Sequence, residues 1–178
     1  MSAKSAPPQR PAAVRAVLLL GPTGSGKTPQ GRLLEQAGLG AHFDFGSELR
    51  AAAGGGVLAP ADTAFVARLL ETCALLPQDR FDIAQQILDA FLRRVRFDPA
   101  RRRLILNGLP RHAGQARDLA RSVLVEHVFV FDCDAEAVRA RVARRRGGSG
   151  LDDFGRADDH PEAVALKLRT YETQTAAL

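Results

Sequence analysis

Gly21-Pro22-Thr23-Gly24-Ser25-Gly26-Lys27-Thr28 follows directly on the apolar run Val14–Leu20 and opens a helical stretch that extends to about Ala37. The segment satisfies G-x-x-x-x-G-K-[ST] in full, and it does so between a strand and a helix, the setting in which that motif has its chemistry. Glycines let the chain wrap so that successive backbone N–H groups, together with the helix N-terminus, face phosphate oxygens. Lys27 is placed to reach the β and γ phosphates, and the Thr28 hydroxyl to bind Mg²⁺. The stretch therefore predicts a phosphate-binding loop for a nucleoside triphosphate, with ATP as the expected ligand and residues 21–28 as its cradle.

Outward from this loop, short apolar strands alternate with helical stretches. Residues 41–44 read as a second strand, and residues 47–53 as a helix ended by the glycines at 54–56. Residues 61–73 and 79–95 carry apolar side chains at helical spacing (Phe65 and Leu69; Phe81, Ile83, Ile87, Leu88, Phe91 and Leu92), with Pro60 and Pro77 just ahead. RLILN at 103–107 is a buried strand that stops at Gly108-Leu109-Pro110, followed by a helix over 113–123 and another strand over 126–132. An arginine-rich helix over 135–146, a Gly/Asp-rich loop over 147–159 and a helix over 161–173, with Pro161 in its first turn, complete the chain. Such alternation implies parallel strands joined by right-handed crossovers, hence an α/β fold of the P-loop NTPase kind: three layers, α/β/α, around a parallel sheet of four to five strands. Residues 1–13, polar and rich in proline, are expected to be a disordered tail, and residues 14–178 one domain. Its core would be 14–44 and 103–146, with a helical insertion over about 45–100, a short lid over about 147–159 and a C-terminal helix over 160–178.

Composition narrows the classes further. The chain has 178 residues, 46% hydrophobic and 25% charged, as expected of a single soluble domain with a sizeable core. Its apolar runs are far shorter than the ~20 residues of a membrane helix and no signal peptide precedes them, so a cytoplasmic protein without a membrane partner is expected. Cys73 and Cys133 have neither disulfide nor zinc spacing and read as small core residues. With no Trp and one Tyr there is little material for stacking nucleic-acid bases, and nucleic acid is not an expected partner. Of 25 basic residues only Lys4, Lys27 and Lys167 are lysines, leaving 22 arginines whose planar guanidinium groups suit phosphate, or that simply reflect the coding bias of a GC-rich genome.

A series of motifs in order along the chain resembles the adenylate kinase family of nucleoside monophosphate kinases. GPTGSGKTPQ resembles that family's glycine loop, GSELR at 46–50 its GDLLR, and NGLPRHAGQ at 107–115 its DGFPRxxxQ. VFVFDCDAEAVRARVARRR is similar to the strand and helix leading into the family's lid, and GRADDHPEAVALKLRTY to its GRxDDxxExxxxRLxxY. The resemblance implies transfer of the γ-phosphoryl group from Mg·ATP to a nucleoside monophosphate, AMP first among them, by a monomer with a small helical monophosphate-binding insertion and a short metal-free lid. It further implies that Arg50 and Arg111 clamp the acceptor phosphate, with Phe45, Gly46 and Gly108 beside it and Gln115 reading its base. Arg141 would lie against the ATP base, and Arg145 (or Arg146), Arg156 and Lys167 would reach phosphates, with Asp158 and Asp159 holding the lid to the basic residues as it shuts. Arginines converging on bridging phosphates are what phosphoryl transfer asks for, since it needs positioning and charge neutralisation more than covalent help.

The chain departs from the family pattern at several of these positions. Thr28-Pro29 follows the lysine where Gly-Thr is usual, Asp44-Phe45 replaces Ser-Thr, Lys167 replaces an arginine, and Asn107 replaces the aspartate that orders water around Mg²⁺. Asp132, at the end of the neighbouring strand, is one candidate to replace that charge. The sequence also ends at Leu178, ahead of the family's last strand and helix: either those pieces are absent, giving four strands in place of five, or the sequence is cut short of them. Two other readings follow: a nucleotide-binding protein that has lost transferase activity, or a P-loop kinase of a small non-nucleotide metabolite.

Overall fold

The computed structural model describes residues 13–147 and 159–178. Four parallel strands, β1 (Val14–Leu20), β2 (Ala41–Asp44), β3 (Leu104–Asn107) and β4 (Val123–Val130), form one sheet in the order β2-β3-β1-β4. Their registers align the C-terminal ends: Asp44 lies opposite Asn107 on β3, which in turn lies opposite Leu19 on β1. Seven helices accompany them among the described residues: α1 (Lys27–Gln36), α2 (Phe45–Ala53), α3 (Pro60–Glu71), α4 (Phe81–Arg94), α5 (Ala113–Leu119), α6 (Ala135–Arg146) and α7 (Pro161–Thr170). None of these helices is long and apolar enough to cross a membrane.

Period-two alternation sorts each strand onto two faces. Ala16 and Leu18, Ala41 and Phe43, and Leu104 and Leu106 pack with Leu49, Val66, Ile83, Ile87, Leu88, Phe91 and Leu119 into the main core, which places α2 to α5 on that face. At its centre the rings of Phe43 and Phe91 meet edge to face at 5.1 Å, a preferred aromatic geometry. The opposite face presents His42 to α1, where Gly31 allows close approach: a Cβ there would sit 2.2 Å from His42 Nε2. Glu35 Oε1 on the same helix accepts the His42 backbone N–H at 3.0 Å, tying α1 to β2. A smaller cluster of Val138, Val142, Val164 and Leu168 joins α6 to α7.

Several sequence boundaries are corrected. The helix expected over 113–123 ends at Leu119, and the strand expected over 126–132 runs over Val123–Val130, because Val123 pairs with Val14 and the strand is drawn onto β1 from its first residue. The register shifts between Ala16 and Val17, where Glu126 is skipped and its side chain binds Arg15 and Arg103. The last helix gives way after Thr170 to a π-helical turn over Tyr171–Thr175. Cys73 and Cys133 are free and half-buried: Cys133 packs against the cluster of Val138, Val142, Val164 and Leu168, as a small core residue would, whereas Cys73 lines the cleft described below. Several arginines without a place in the motifs are surface ion-pair partners: Arg94 with Glu48, Arg101 with Asp98 and Arg103 with Glu126.

Candidate active site

A cleft opens at the carboxyl ends of β1, β2 and β3, the place where parallel α/β sheets hold ligands. Its floor is the loop of residues 21–26. Gly24 and Gly26 have φ of +73° and +103°, a region that strains residues with a Cβ, and Gly26 leads directly into the first turn of α1. Gly24 also lies so close to α6 that a Cβ would sit 3.1 Å from Val142. Gly21, Thr23, Gly24, Gly26, Lys27 and Thr28 line the cleft, while Pro22 and Ser25 turn inward and are buried. Lys27 Nζ donates to the carbonyls of Gly21 and Pro22 at 2.7 and 2.5 Å, which holds the ammonium over the loop. Pro29 falls in the first turn of α1, where a missing N–H costs nothing.

The two basic residues expected at the acceptor line the same cleft. Arg50 projects from α2 over Gly46, its Nη1 3.6 Å from where a Gly46 Cβ would stand. Arg111 follows Gly108, at φ +80°, and the cis Leu109-Pro110 bond. The Arg111 backbone is braced from two sides: its N–H donates to Gln115 Oε1 at 2.8 Å, and its carbonyl accepts the Thr175 hydroxyl at 2.7 Å. Gln115 Nε2 donates at 2.9 Å to the Leu76 carbonyl on the far wall. The buried Gln115 amide thus ties the Arg111 loop to the segment after α3, and each end of it keeps a second hydrogen-bonding site. Phe45, Gly46, Gly108 and Gln115 all line the cleft, with Phe45 also packed into the main core.

The remaining expected positions sit differently. Lys167 and Arg145 line the cleft from α7 and α6. Arg145 is 5% exposed and grips Asp159, itself 3% exposed, through a two-pronged ion pair, with Nε at 2.8 Å from one oxygen and Nη2 on the other. Arg141 is exposed and donates to the Ser25 carbonyl at 2.9 Å, so it lies against the glycine loop and is not part of the cleft lining. Arg156 and Asp158, with the rest of the lid over 148–158, lie outside the described residues.

Sequence reasoning missed two features. Thr175, from the C-terminal turn, and the stretch from Leu69 to Leu76 form part of the wall; nothing in their composition distinguishes them from packing residues. The more consequential one is Asp44. Its Oδ2 accepts the Thr28 hydroxyl at 2.6 Å and the Asn107 amide at 3.1 Å, while the same Asn107 nitrogen donates to Thr28 Oγ1 at 3.0 Å. Its Oδ1 caps α2 through the Ser47 N–H at 3.1 Å, which starts that helix at Phe45, two residues before the sequence suggests. Asp132, by contrast, is exposed beyond the end of β4 and outside the cleft, so it does not replace the charge lost at Asn107.

Comparison with known proteins agrees with this architecture. Residues 20–162 match the family described as "AAA domain". A protein named adenylate kinase from Stenotrophomonas maltophilia (strain R551-3) is 34% identical over 166 residues, which span 90% of this chain and 81% of that protein. Adenylate kinases of Thermobifida fusca and Parvibaculum lavamentivorans are 31% and 30% identical, each over 91% of this chain and over 81% and 76% of their own lengths. A four-stranded parallel P-loop sheet, a cleft lined by the glycine loop and arginines of two further motifs, and relatives matched along nearly the whole chain lead to one conclusion: this protein belongs to the adenylate kinase family and is a P-loop phosphotransferase.

Proposed function

We propose that the protein transfers the γ-phosphoryl group of ATP to a nucleoside monophosphate, with AMP as the first acceptor to test. The observation that carries this reading is that one cleft is lined at once by the phosphate loop and by Arg50, Arg111 and Gln115 from separate elements. In this reading Lys27 and the loop amides of residues 21–28 hold the donor phosphates, while Arg50 and Arg111 fix the acceptor phosphate so that its oxygen meets the γ-phosphorus in line. Lys167 and Arg156 would add charge at the phosphates and Arg141 would lie against the donor base, while Arg145, paired with Asp159, would reach a phosphate by exchanging that partner for it. The acceptor oxygen is already anionic at neutral pH, so no general base is required.

The helices α2 to α4 serve as the acceptor lobe, and closure of residues 147–159 over the donor excludes water and suppresses ATP hydrolysis. The Thr28 hydroxyl and its oxygen-bearing neighbours are the hard donors that Mg²⁺ prefers, and Thr28 would hold the ion beside the nucleotide. Bound there, Mg²⁺ neutralises charge on the β and γ phosphates. Phe45, where the family carries a hydroxyl residue, narrows the wall beside the acceptor and makes the choice of base specific to this chain.

A coupled assay for ADP formation across a panel of nucleoside monophosphates tests the reading. Turnover with at least one of them, saturable in acceptor, is expected. Tight ATP binding without turnover on any member would instead establish a nucleotide-binding protein, and a phosphorylated small metabolite among the products would establish a different acceptor class.

A further inference from the structure

Asn107 and Asp44 are partners in the parallel register of β2 and β3. Exchanging the polar residues of two such positions moves a carboxylate sideways by one strand spacing, about 4.8 Å, without changing its height in the sheet. At this height Asp44 Oδ2 already reaches the Thr28 hydroxyl at 2.6 Å. The hydroxyl hydrogen is directed to Asp44, and one oxygen lone pair accepts Asn107 Nδ2 at 3.0 Å, which leaves the second lone pair open for a cation. Asn107 is neutral and donates to both neighbours, so the full negative charge at this three-residue contact resides on Asp44.

We infer that in this chain Asp44, at the end of β2, is the carboxylate that holds the divalent cation's shell beside Thr28, with Asn107 reduced to a positioning residue that orients both. The inference rests on the phosphoryl-transfer reading above for its nucleotide, and it extends that reading by reassigning the charge at the metal site. It also accounts for the pair of substitutions together: the strand end that loses an aspartate faces, in register, the strand end that gains one. Asp44 additionally starts α2, the helix that carries Arg50, so the cation site and the acceptor arginine share one anchor.

The test reads metal binding, not turnover. Mn²⁺ is titrated, with electron paramagnetic resonance detection, into full-length protein saturated with a non-hydrolysable ATP analogue, in wild type, Asp44→Asn, Asn107→Asp and the double exchange. Asparagine keeps the helix cap and the size of the side chain, so Asp44→Asn should fold, and its circular dichroism should match wild type. Loss of a carboxylate that orders a metal's shell weakens the metal by about 10- to 100-fold. Asp44→Asn should show that loss, and the double exchange should recover most of it by returning the charge to β3. Unchanged Mn²⁺ affinity in Asp44→Asn would overturn the assignment while leaving the phosphoryl-transfer reading intact; failure of the wild type to bind the analogue at all would overturn both.

Discussion

Replacing Arg145 by alanine should cost more stability than the loss of any exposed charge in the described structure. The guanidinium is 5% exposed and Asp159 3% exposed, and the pair is held through two nitrogens and both carboxylate oxygens. Removing one partner leaves a carboxylate buried without its counter-charge, a change that costs about 3–5 kcal/mol, whereas removing both and filling the space is often neutral. For a domain of this size each kcal/mol lowers Tm by about 2–4 °C, so the expected fall is about 6–20 °C. Urea denaturation at pH 7, with circular dichroism as the readout, gives the free energy directly. The variant Arg145→Met with Asp159→Leu should recover most of what Arg145→Ala loses. A loss of less than about 1 kcal/mol in Arg145→Ala would mean that the pair behaves as a solvated surface bridge, and the burial reasoning would be wrong. The pair joins two residues fourteen apart in the chain, one before and one after residues 148–158.

Other consequences follow from the cleft and from the sheet. Lys27→Ala should abolish ATP binding, while Arg111→Ala should raise the acceptor KM or lower kcat by tenfold or more with ATP affinity little changed, as measured by initial rates and equilibrium dialysis. Gln115→Ala would remove the acceptor of the Arg111 N–H and the shorter of two contacts to the Leu76 carbonyl, which His112 Nε2 also approaches at 3.4 Å, and cost about 1–3 kcal/mol, read by denaturation, with acceptor use damaged in proportion to the loosened loop. His42 is buried, and its Nε2 has no hydrogen-bond partner among the described residues; desolvation lowers its pKa below the ordinary 6.5, outweighing the pull of Asp44 and Glu35, with Arg32 pushing the same way as burial. Below about pH 6.5 the unfolded chain therefore takes up a proton that the folded one refuses, so stability declines as pH falls through that value and levels off beneath the folded pKa. Denaturation midpoints between pH 7.5 and 5 should show this slope in wild type, and a shallower one in His42→Leu.

Much of this architecture is legible because it is encoded locally. The glycine loop needs only eight consecutive residues to declare its wrap, its lysine and its helix, and these stand where the motif puts them. The strand ends at Asp44 and Asn107 also follow from short apolar runs that stop at a turn or a helix start. What a linear reading cannot supply is which strand ends are neighbours. Asp44 looks like the loss of a hydroxyl until β2 is set beside β3, and only then is it a carboxylate 2.6 Å from Thr28. Asp132 is the replacement carboxylate that the linear order offers, yet β4 lies on the far side of β1 from β2 and β3 and carries Asp132 past the cleft. The resemblance binds Asp159 to basic residues without saying to which; that the partner is Arg145, fourteen residues back and buried, no spacing reveals. The start of β4 is illegible for a related reason: Val123 to Val125 suit a helix or a strand, and pairing with β1 decides between them.

Transfer between two nucleotides held in one cleft is tested most directly by following the phosphorus itself. Protein is incubated with ATP labelled at the γ-phosphate and with a nucleoside monophosphate, and the products are separated by chromatography. The label is expected as the β-phosphate of the new nucleoside diphosphate, with no signal from Lys27→Ala. Label recovered only as inorganic phosphate, or remaining in ATP with every monophosphate offered, would contradict it.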